Sequence, residues 1–120
     1  MSRHPYADQP PTMVVSGAFG GVCARRGDDQ ALWQVLMPEF REAERHFEEG
    51  AFERVAAKLF GPGWRSLTRD RIEFVEGGPV EPEVEVVRVV DTETGADVSR
   101  VLVHHTDEIG WLIDGVERVE

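Results

Sequence analysis

Cysteine is almost missing from this 120-residue chain, where Cys23 stands alone. A single thiol can form neither an internal disulfide nor a thiolate metal cluster, which excludes a disulfide-stapled scaffold. Lysine is equally scarce: of the 13 basic residues only Lys58 is not arginine, a skew that fits codon bias better than chemistry. Basic residues as a class are outnumbered by 23 acidic ones, for a net charge of −10. A chain this acidic is repelled by phosphate backbones and anionic surfaces, so nucleic acid is not an expected partner. No stretch approaches the roughly 18 apolar residues of a membrane span, and MSRHPYADQPP has no signal-like apolar run. The expectation is a cytoplasmic protein with no membrane partner. Phosphate-binding, dinucleotide-binding, nucleophile-elbow and C-x-x-C motifs are all lacking, and GAFGG at residues 17–21 falls inside a helix rather than at a strand-to-helix turn.

What is present is ordinary globular material, 41% apolar and 30% charged, in the length of one domain. Residues 1–11, with Pro5, Pro10 and Pro11, read as a flexible tail, and residues 12–120 as the folded domain. Thr12 is placed to cap a helix whose apolar stripe is Val15, Ala18, Phe19, Val22 and Cys23. Arg25, Arg26 and Gly27 end it. A short second helix carries Ala31, Leu32, Val35 and Leu36, and Pro38 either ends it or opens the next. That third helix runs through Phe40, Ala43 and Phe47 until Gly50 breaks it. A fourth stripe, Phe52, Val55, Ala56, Leu59 and Phe60, stops at Gly61-Pro62-Gly63.

Beyond Trp64 the period changes from 3.6 to 2. Strands are expected at 71–76, with Gly77-Gly78-Pro79 as a turn, then at 83–91, 98–105 and 111–119, joined by connections short enough to force antiparallel neighbours. The second strand shows Val84, Val86, Arg88 and Val90 on one face and Val87 and Val89 on the other, without the apolar/polar alternation of a sheet with one wet side. Helices gathered on one face leave the other bare, and a second copy of the chain is the economical cover. The fold class is therefore α+β, N-terminal helices on a curved antiparallel sheet, with homodimerisation through that sheet.

PTMVVSGAFGGVCARRGD, ALWQVLMPEFR and the terminal EIGWLIDGVERVE together resemble the NTF2-like superfamily, in particular its small bacterial members of unknown function. The resemblance extends over residues 11–119. It implies a cone in which helices sit in the concave face of the sheet, commonly dimeric, with a pocket for an apolar or amphipathic small molecule. Members include ketosteroid isomerases, polyketide cyclases, dehydratases and epoxide hydrolases, alongside proteins that only bind. The isomerase pattern requires a general-base carboxylate after the second helix and a tyrosine oxyanion donor. Here the only tyrosine, Tyr6, lies in the tail, and Pro38-Glu39-Phe40 runs into helix, so no catalytic residue carries over.

Read from the residues, His104 and His105 are the candidate acid/base groups, and as strand neighbours they must face opposite ways. Asp114, beside Gly115, is the candidate carboxylate. Arg88, set among valines, can grip a ligand carboxylate or pair with a Glu on a neighbouring strand or across the dimer. Trp64 and Trp111 are candidate walls of the pocket, with core packing as the alternative. Glu42, His46 and Glu49 share a helix face, but such spacing is frequent on solvated Glu-rich helices, so no metal and no cofactor is expected. Two functions remain open: a ligand-binding cone, with isomerisation, cyclisation or hydration as its chemistry if it is an enzyme, and a non-catalytic module that docks proteins through its sheet. The discriminator is whether Arg88, a histidine and Asp114 converge on a cavity or phenylalanines fill it.

Overall fold

The computed structural model describes residues 9–24, 33, 35–43, 50–107 and 110–117. The tail residues 1–8, the expected turn at Arg25–Asp29, and Ala31, Leu32, His46, Phe47, Glu49 and Val119 lie outside them. Helix α1 (Pro11–Ala24) starts two residues earlier than a cap at Thr12 predicts. Proline at a first turn forfeits only an N–H that would lack a partner anyway. The Met13 and Val14 amides donate to the Pro10 carbonyl at 3.0 and 3.2 Å. Val14, Val15, Ala18 and Phe19 are fully buried. Helix α2 (Pro38–Ala43) opens on Pro38.

Helix α3 (Ala51–Phe60) follows Gly50, which takes a left-handed φ of 83°. Its apolar stripe is the expected one: Val55, Ala56, Leu59 and Phe60 are buried with Ala51, while Phe52 is half-buried at the margin. Gly61, at φ 85°, ends the helix by donating its amide to the Ala57 carbonyl at 2.8 Å. A second stop comes from the sheet. The Ser99 hydroxyl, buried in the core, donates to the Leu59 carbonyl in the last turn of α3. Ser99→Ala should lower stability by about 1 kcal/mol, because the carbonyl keeps its burial but loses its donor. A shifted urea midpoint at unchanged slope is the expected readout.

Four strands, β1 (Ile72–Glu81), β2 (Val84–Asp91), β3 (Asp97–Thr106) and β4 (Gly110–Glu117), form an antiparallel meander in chain order. Two expectations need correction. Gly77-Gly78-Pro79 is not a turn; β1 runs through it to Glu81, with register shifts between Glu76 and Gly78 and between Pro79 and Glu81. Bulges absorb the extra residues and bend the strand instead of reversing it. Gly77 fits because Val86 lies on its backbone: a Cβ there would meet Val86 Cγ1 at 2.3 Å. Secondly, Val35 and Leu36 are not helical. The Ile113 amide donates to the Val35 carbonyl and the Met37 amide to the Ile113 carbonyl, both at 2.7 Å, so this segment bridges parallel to β4. Further bulges shift register between Val89 and Val90 and between Leu102 and Val103, and the sheet curls.

One sheet face makes the core. Val87, Val89, Val101, Val103 and Ile113 project from it, each fully buried, onto Val14, Val15 and Phe19 of α1 and Val55, Leu59 and Phe60 of α3. Phe19 meets Phe60 edge-on at 5.0 Å and Phe74 at 5.9 Å. The result is an α+β domain in which, among the described residues, no helix is long and apolar enough to cross a membrane.

Candidate functional site

The face of the sheet turned away from the helices carries the chemistry. Strand alternation places Val84, Val86, Arg88 and Val90 of β2 there, as the sequence implies. Register then sets their neighbours. Across the middle of the face runs a row of Val75, Arg88, Arg100 and Glu117. One step along is Gly78, Val86, Leu102 and Gly115, and one further is Glu81, Val84, His104 and Leu112. Val86 and Leu112 are nearly inaccessible, yet neither belongs to the helix-side core.

Two arginines side by side on adjacent strands repel each other unless neutralised. Both are. Arg88 Nε and Nη2 donate to Asp97 Oδ1 at 3.0 and 2.8 Å. The hydrogen bond and the charge of Asp97 raise the Arg88 pKa above its ordinary value, keeping the guanidinium charged. Arg100 Nη1 pairs with Glu117 Oε1 at 2.8 Å. Arg100 Nε is buried with no hydrogen-bond partner among the described residues. The partner of Arg88 does lie on a neighbouring strand, but it is an aspartate at the first position of β3 and not the expected glutamate. The second pair, Arg100 with Glu117, was missed: a plain antiparallel count from the last hairpin puts Val116 opposite Arg100, and the register shift between Leu102 and Val103 brings Glu117 there instead.

The histidines separate as strand geometry requires. His104 is on the outer face, 34% exposed, with Nε2 3.8 Å from Glu83 Oε2. His105 alternates to the other side, where it is exposed and lies edge-on to Trp111 at 5.1 Å. Asp114 is exposed in β4, the residue left over where register shifts from Val103–Ile113 to Leu102–Gly115. Trp64 is buried, edge-on to Phe52 at 6.1 Å and covered by the Arg65 guanidinium at 4.5 Å. Trp111 packs against the core from the helix side.

Arg88 and His104 therefore share one face, Trp64, Trp111 and His105 belong to the other, and Asp114 sits at the margin. The sheet stands between the two sets. No three histidine, cysteine or acidic side chains among the described residues gather where one ion could be held. On the helix side of the sheet, Phe19, Phe60, Leu36 and Leu59 are fully buried, and Phe40 and Phe52 pack against the core. Searches of protein-family models, curated proteins and solved structures returned no match to this chain.

Proposed function

We propose that the chain is a small NTF2-like domain that works as a non-catalytic interaction module, associating with a second copy of itself through the outer face of the sheet. The observation that carries this reading is the separation of Arg88 and His104 from Trp64 and Trp111 by the sheet, with phenylalanines packed on the helix side. Acid/base chemistry needs its groups within hydrogen-bond reach of one substrate, and these are spread over two surfaces.

The outer face suits a twin for two reasons. It carries the partly exposed apolar residues Val84, Val90 and Leu102, and its two cations are paired with Asp97 and Glu117.

Sedimentation equilibrium tests the reading. Twice the chain mass is expected for the native protein, and Leu102→Asp, outside the helix-side core, should sediment as a folded monomer with its circular dichroism retained. A native monomer at high concentration rejects the self-association. A thermal shift of several degrees with a steroid-like or acyl compound would restore the ligand-binding cone in its place.

A further inference from the structure

We draw no further inference here: the strongest candidate, the cross-strand guanidinium pair Arg88 and Arg100 on the outer face of the sheet as a seat for an anion, carries nothing, because each is already held by a carboxylate, Asp97 and Glu117, and both belong to the site already described.

Discussion

Phe60→Ala is expected to lower the unfolding free energy by about 3–5 kcal/mol, the range for emptying a phenylalanine site in a close-packed core. Phe60 is fully buried at the last position of α3, where it packs edge-on to Phe19 of α1 at 5.0 Å. It thus joins the two longest described helices over the inner face of the sheet. Truncation removes the transfer energy of the ring, leaves a void, and breaks an aromatic contact worth roughly 1 kcal/mol beyond its area. Domains of this size have only about 5–15 kcal/mol in total, so the variant should unfold at a much lower denaturant midpoint. Phe52→Ala is the matched control. Its ring is half-buried against Trp64, and it should lose clearly less.

Gly77→Ala carries the second large effect, expected near 3 kcal/mol from a single added methyl. That carbon would stand 2.3 Å from Val86 Cγ1, 3.1 Å from the Val86 carbonyl oxygen and 3.3 Å from Arg88 Cγ. The side-chain contact can be relieved by movement, but the carbonyl belongs to the β1–β2 ladder and cannot give freely. Overpacking of this kind costs about 1–3 kcal/mol, and the backbone contact puts this site at the upper end. Val86→Ala removes the closest clash. The double variant should therefore be less destabilised than the sum of the two single ones, an interaction a double-mutant cycle measures. Strict additivity would show that Val86 is not what excludes a side chain at 77.

Local chemistry accounts for what was legible in the chain. The stripe Val55, Ala56, Leu59 and Phe60 and its stop at Gly61 were readable because helix period and glycine stops act within a few residues. The two faces of β2 were readable for the same reason. Val35 and Leu36 misled because four apolar residues fit a helical turn, while the bridge that extends them comes from Ile113, far along the sequence. Gly77-Gly78-Pro79 misled because turn-forming residues also form bulges, and only pairing with β2 decides between them. At the candidate site, the opposed directions of His104 and His105 followed from strand geometry alone. The partner of Arg88 was open until register brought Asp97 to it, and the Arg100–Glu117 pair depended on a bulge between Leu102 and Val103 that no local pattern announces. Which candidates share a surface is a property of the whole sheet.

The margins of that sheet have a further consequence. Along β4 the Val35–Met37 segment already occupies the central backbone groups, and along β1 two bulges, Pro79 and the carboxylates of Glu73 and Glu76 interrupt the free edge. Lateral strand-by-strand growth into ribbons or fibrils is therefore blocked on both flanks. Assembly through the outer face, as proposed, would then be a finite, self-terminating contact, and crowding or overexpression should saturate at a defined stoichiometry rather than propagate.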